Sequence, residues 1–210
     1  SGAMQVKVTG PVHVFGCGIT PAGWAALIGN DASTMLNCVL DARDLFGPAI
    51  DDRLARLAHA PDTRAMVATA EALIVRLARA ASPDAAFVQL VDRWLAGCAS
   101  PELDALTAAS GLSHRQVERK CKALYGAPPK LLARKYRALK AAVAFADRKV
   151  TLDELLDRGF YDQSHLIREM KQFTGCTPRQ LQEQPGLLAQ LTISQRSALQ
   201  GQVNPLISDT

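Results

Sequence analysis

Two stretches of equal length decide the fold: 103-LDALTAASGLSHRQVERKCKALYGAPP-129 and 152-LDELLDRGFYDQSHLIREMKQFTGCTP-178. A shift of 49 residues superimposes them, placing Leu103 on Leu152, Leu106 on Leu155, Ser113 on Asp162, Val117 on Leu166 and Arg119 on Arg168. The agreement continues through Cys121 on Met170, Lys122 on Lys171, Leu124 on Phe173, Gly126 on Gly175 and Pro129 on Pro178. In each copy a short helix with two inward leucines is followed by a tight turn and a capped second helix, the plan of a helix-turn-helix unit. Ser113 caps the amides of the first copy's second helix, and Gln116 reaches back to complete a capping box. Asp162 takes the capping place in the second copy.

Val117, Cys121 and Leu124 lie at i, i+4 and i+7, as do Leu166, Met170 and Phe173, so these faces turn inward. The opposite faces are polar. The first offers His114, Arg115, Glu118, Arg119 and Lys122; the second offers Gln163, Ser164, Arg168 and Lys171, with His165 alongside. Arg matches the two guanine acceptors bidentately, Gln matches adenine, and Lys neutralises phosphate. Glu118 either accepts a hydrogen bond from cytosine or pairs with Arg115 or Lys122 on its own helix. One amphipathic helix with a basic face is commonplace; two at a fixed spacing, joined by the helical stretch from Lys130 to Ala146, point to double-stranded DNA as the partner.

Charge agrees in its distribution more than in its total. The formal net charge of the 210 residues is +4, yet Ser100 to Pro185 holds 15 Lys and Arg against 10 Asp and Glu. The rest of the chain holds nine against ten, so the positive excess surrounds the repeat. A positive surface attracts the phosphate backbone.

The repeat resembles the DNA-binding domain of AraC/XylS-family transcription regulators over roughly Asp84 to Gln182. The strongest signature runs from Gly159-Phe160-Tyr161-Asp162-Gln163-Ser164-His165-Leu166-Ile167-Arg168 to Phe173-Thr174-Gly175-Cys176-Thr177-Pro178. This resemblance implies a seven-helix domain whose first helix carries Phe87 to Leu95, with a linker helix setting two recognition helices about one DNA turn apart. It places base-reading slots on Arg115, Glu118 and Arg119, then on Gln163, Ser164, Ile167 and Arg168. There are departures. Cys121 and Met170 stand where the family usually has Phe. The scaffold helix of the second unit is one residue short, with Leu156 in a slot that usually holds Ala, which implies a tilted second recognition helix.

Upstream, Val6, Val8, Val12 and Val14 alternate around Gly10-Pro11 and predict short strands joined by a turn. A helical pattern starts near Met35 with Leu36, Val39 and Leu40, and Thr63 to Ala80 reads as an Ala-rich helix. Residues 5–82 therefore resemble part of a sensory or dimerisation module. A small-molecule effector or a homodimer is expected there, with Trp24 as a packed core aromatic or as a stacking wall. Residues 1–4 read as a tag remnant ahead of a trimmed parent chain. Residues 84–185 form the DNA-binding domain and 186–210 a tail.

The fold class expected is thus mainly α: a C-terminal seven-helix bundle with two helix-turn-helix motifs and a linker helix, preceded by a smaller β-plus-helix segment. Enzyme motifs are missing: there is no G-x-S-x-G, H-E-x-x-H or phosphate-binding P-loop, and Gly16-Cys17-Gly18 lacks the rest of a dinucleotide fingerprint. His13, His59, His114 and His165 are not spaced as metal ligands, and no cofactor is expected. Cys17, Cys38, Cys98, Cys121 and Cys176 form no C-x-x-C pair and read as mostly buried small apolar residues. No apolar run nears the ~20 residues that cross a bilayer, so a cytoplasmic location is expected. RNA polymerase is a further expected partner. The competing reading is a regulator that keeps the DNA-binding fold but acts through polymerase or another regulator.

Overall fold

The computed structural model describes residues 9–10, 15–78, 83–98, 100–146, 150–157 and 159–183. Among them there are eleven α-helices and no strand. Seven of the helices build the region of the repeat: α5 (Ala85–Gly97), α6 (Leu103–Ser110), α7 (His114–Tyr125), α8 (Pro129–Ala146), α9 (Leu152–Leu156), α10 (Gln163–Thr174) and α11 (Pro178–Glu183).

Local chemistry sets the ends of the two repeated helices. Ser113 and Gln116 form the capping box at the start of α7, and Gly126 closes the helix in the left-handed conformation at φ 75°. Asp162 caps α10 by accepting from the His165 amide, and Gly175 closes it at φ 77°. A side chain costs most at such φ values, which is why glycine occupies both stops.

Burial then separates two cores. Phe87, Val88, Val91 and Leu95 of α5 meet Leu106 of α6, Val117, Cys121 and Leu124 of α7, and Leu132 and Tyr136 of α8. The second core collects Ala141, Ala142 and Phe145 of α8 with Leu155, Phe160, Leu166, Met170 and Leu181. Helix α8 belongs to both, giving its first half to one unit and its second half to the other. Val117, Cys121, Leu166 and Met170 are wholly enclosed, so Cys121 and Met170 fill the places where larger aromatic groups were expected from the resemblance. Sulfur-bearing side chains adapt to irregular space, which suits both positions.

The upstream half differs from expectation. Its described elements are α1 (Pro21–Leu27), a 3-10 turn at Ala32–Met35, α2 (Ala42–Phe46), a 3-10 turn at Pro48–Ile50, α3 (Asp51–Ala58) and α4 (Thr63–Leu77). The β part of the expected β-plus-helix segment is not supported. Val6, Val8, Val12 and Val14 lie outside the described residues, as does His13. The helical pattern read from Met35 is interrupted: Leu36 leaves the turn in extended backbone, and Val39 is 80% exposed, because Asp41 starts a new helix by capping α2. Cysteine burial is also corrected, since Cys17, Cys38 and Cys98 are exposed and Cys121 alone is fully buried. Without a disulfide or a core to enter, a thiol in these turns remains in solvent.

Helix α1 and the Ala32–Met35 turn pack on α7, and α1 also touches α5, whereas α3 packs on α4. The seat of the turn is close. A Cβ placed on Gly126 would stand 2.7 Å from Leu36 Cδ2, while one on Gly111 would meet nothing within 4 Å. Both glycines have positive φ, at 75° and 66°. Gly111→Ala should therefore lose only the backbone preference, about 1 kcal/mol. Gly126→Ala should lose that amount and the Leu36 seat besides. Thermal unfolding of the two variants measures the difference, and equal losses would show that the upstream turn adds nothing at this point.

Candidate nucleic-acid interface

Helices α7 and α10 are each held from within, and their outer faces carry exposed polar residues. On α7, Arg115 and Arg119 are exposed and make no ion pair among the described residues. Glu118 is drawn to Lys122, with 2.8 Å between carboxylate and ammonium. That contact and the lysine charge hold the Glu118 carboxyl below its ordinary range. Of the two alternatives open for Glu118, the structure thus shows the pair with Lys122 along its own helix. His114 contacts Asp104 of α6 at 2.8 Å.

On α10 the exposed residues are Gln163, Ser164, Arg168, Lys171 and Gln172. Arg168 Nε lies 3.3 Å from the Ser164 carbonyl, which it meets as a donor, leaving the rest of its fork in solvent. Ile167 is half-buried. His165 is turned inward: its Nδ1 accepts from the Tyr161 amide at 3.2 Å, and its Nε2 stands 3.3 Å from Glu169 Oε1. An accepting Nδ1 places the ring proton on Nε2, directed at the carboxylate. His165 accordingly ties the turn to the helix. The two outer faces share Arg119 with Arg168 and Lys122 with Lys171 at repeat-equivalent positions, but not Arg115, whose equivalent is Ser164.

The inner anchoring includes charges that sequence reading missed. Glu169 is 1% exposed. Arg134 Nε donates to one of its oxygens at 2.6 Å and Arg137 donates to the other at 2.9 Å, both arginines coming from α8. Arg137 also donates to Ser100 Oγ at 3.0 Å and lies 5.0 Å from the centre of the Phe160 ring, while its Nε is buried without a partner. Burial would push the Glu169 carboxyl up, but the hydrogen bonds and charges of the two arginines outweigh it and hold it below the ordinary range. The equivalent position in the first unit is Lys120, which pairs with Asp84 and lies 5.3 Å from the centre of the Phe87 ring. Two signals were available. Glu169 falls within the inner stripe of Leu166, Met170 and Phe173, and Arg134 and Arg137 are one helical turn apart.

A second feature lies behind α7. The Tyr125 hydroxyl lies 3.0 Å from the Val88 carbonyl oxygen and 2.8 Å from Asp92 Oδ1, with its one hydrogen shared between these two acceptors; burial pushes both the phenol and the Asp92 carboxyl up. A cavity of about 440 Å³ opens here, lined by Trp24, Met35 and Leu36 from upstream and by Asp92, Tyr125 and Tyr136 from the repeat region. Trp24 is half-buried and donates its indole N–H to the Asn30 carbonyl at 2.7 Å. Burial drives the Cys121 thiol up to about 12, which leaves it protonated and inert. Among the described residues no three His, Cys, Asp or Glu side chains cluster in a way that could hold a metal ion, and no helix is long and apolar enough to cross a membrane.

A family model described as a helix-turn-helix domain matches residues 106–184. This supports an AraC-like DNA-binding domain in that part of the chain and a DNA-binding transcription regulator. No curated protein and no solved structure matches the chain.

Replacing Glu169 by Gln should leave the two arginines of α8 without their counter-charge at the root of α10. Removing one partner of a buried pair costs about 3 kcal/mol, read as a fall in thermal stability. The pH dependence has a definite sign. A depressed carboxyl contributes stability that is complete above its unfolded value near 4.5 and is lost as pH falls through the lower folded value. The gap between wild type and Glu169→Gln should therefore close on acidification below 4.5, and a gap that stays constant there would refute the assignment.

Proposed function

We propose that this chain is a sequence-specific, double-stranded DNA-binding transcription regulator that inserts α7 and α10 into successive major-groove segments of one site. The observation that carries the reading is the repeated division of the two helices. Val117, Cys121 and Leu124, like Leu166, Met170 and Phe173, are spent on the cores, while Arg119 and Arg168 occupy the same outward place in each copy and are exposed.

Roles follow from side-chain chemistry. Arg115, Arg119 and Arg168 read base edges, with guanine the natural target of their forks, and Gln163 and Ser164 add hydrogen bonds at the start of α10. Lys171 meets phosphate. Lys122 and Glu118 act as a pair, so Glu118 reaches a cytosine amino group only when Lys122 turns to the backbone. Ile167 offers an apolar surface to a thymine methyl. His165 works from behind by fixing the turn. This is the work of a binding protein, with no catalytic step and no cofactor.

The upstream residues supply regulation in this reading. The cavity beside Trp24 and Tyr125 is the candidate site for a small-molecule effector, because its walls include the C-terminal end of α7. Helix α4 exposes Val67 and Val75, a face suited to a second copy of the chain. RNA polymerase is the partner through which bound regulator would act.

Selection of sequences from a random duplex pool tests the core claim. Against the selected site, Arg119→Ala and Arg168→Ala should each weaken binding by ~1 to 3 kcal/mol and relax preference at separate positions. Binding should also fall steeply with salt, as phosphate contacts release condensed counterions. Retained affinity in both variants would defeat the orientation of the helices. A complex indifferent to salt would instead favour a protein partner on the same fold.

A further inference from the structure

The turns of the two units are not equivalent. In the first, Gly111 is followed by Leu112 and then by the cap Ser113; in the second, Gly159 is followed by Phe160, Tyr161 and then the cap Asp162. Leu112 packs against the first core and Phe160 is buried in the second, so these two do the same work. Tyr161 is the additional residue. It is additional only between the glycine and the cap, since in the 49-residue register it stands opposite Leu112 while α9 ends at Leu156, three residues before the place equivalent to Ser110, and it is expelled from the core with 93% of its surface exposed.

Its backbone is nevertheless fixed. The Tyr161 amide donates to His165 Nδ1, and the His165 ring rests edge-on against Phe160, with centroids 5.8 Å apart. A phenol thus projects into solvent from a fixed backbone at the N-terminal edge of α10. Among the described residues that edge carries no cation of its own: α7 has Arg115 in its first turn, whereas α10 has Gln163 and Ser164, and His165 is engaged within. Asp162 already occupies the His165 amide, so this helix end needs another donor to hold a strand of DNA.

We propose that Tyr161 is the backbone anchor of the second recognition helix, its hydroxyl donating a hydrogen bond to a phosphate oxygen on the strand that flanks the groove entered by α10. The inference rests on the DNA-binding reading above. Contacts to phosphate position a protein without reading sequence. A neutral donor, unlike an arginine, also adds no released counterion.

The full chain is used to select a duplex from a random pool, and affinities for that duplex and for an unrelated one are measured over a range of salt. Tyr161→Phe should weaken binding about tenfold on both, as expected for a hydrogen bond to a charged group, with unchanged melting and an unchanged salt slope. Lys171→Ala, at the phosphate contact proposed above, should lower the slope by about one. Affinity within twofold of wild type for Tyr161→Phe overturns the proposal, as does a loss confined to the selected duplex. If Tyr161→Ala is weakened while Tyr161→Phe is not, the ring rather than the hydroxyl makes the contact, and the proposal is again overturned. A wild-type chain that selects no duplex fails the underlying reading instead.

Discussion

Helix α8 must satisfy two cores at once, and the rest of the structure is arranged around that constraint. Leu132 and Tyr136 serve the first core, and Ala141, Ala142 and Phe145 serve the second. Between these contacts, Arg134 and Arg137 reach sideways to Glu169 in the middle of α10. Helix α10 is therefore bolted to the beam by charge as well as by apolar packing. Such a pair adds little net stability over a hydrophobic substitute, because burial of ions is costly. What it supplies is orientation: a carboxylate gripped at both oxygens by two residues on one face of a helix fixes the rotation of α10 more narrowly than interchangeable methyl groups would.

The first recognition helix is held differently. Lys120, at the position equivalent to Glu169, pairs with Asp84 at the start of α5 rather than with α8, and Tyr125 is tied to Val88 and Asp92 of α5. The repeat has kept the apolar triplet and the outward arginine while reversing the sign of the inner charge and changing its partner. The two units share a plan without sharing a scaffold.

Much of this was legible in the sequence, for reasons that vary from residue to residue. The capping box of Ser113 and Gln116, the cap at Asp162, and the inner triplets of α7 and α10 follow from local spacing, which a single helix enforces alone. The inward turn of His165 and the burial of Glu169 do not. They depend on Arg134 and Arg137 arriving from a helix some thirty residues away; periodicity puts Glu169 on the inner stripe and the two arginines one turn apart, but it does not report that the two elements meet. The shortened scaffold helix was visible as a gap before Gly159, but the exposure of Tyr161 emerges only when Phe160 is seen to take the buried place. The exposed Cys17, Cys38 and Cys98 escaped a composition argument because average burial says nothing about a particular turn. Upstream, the alternating valines that suggested strands lie outside the described residues, and the elements described there are helical.

The seat of the Ala32–Met35 turn against Gly126 has an uneven consequence. It bears on the end of α7, while the principal contacts of α10 are with α8 and α9. A displacement of the upstream residues would thus reach α7 and leave α10 where it stands. The two units of the repeat need not answer such a movement together, so the spacing between their outer faces could change by degrees rather than in a single step.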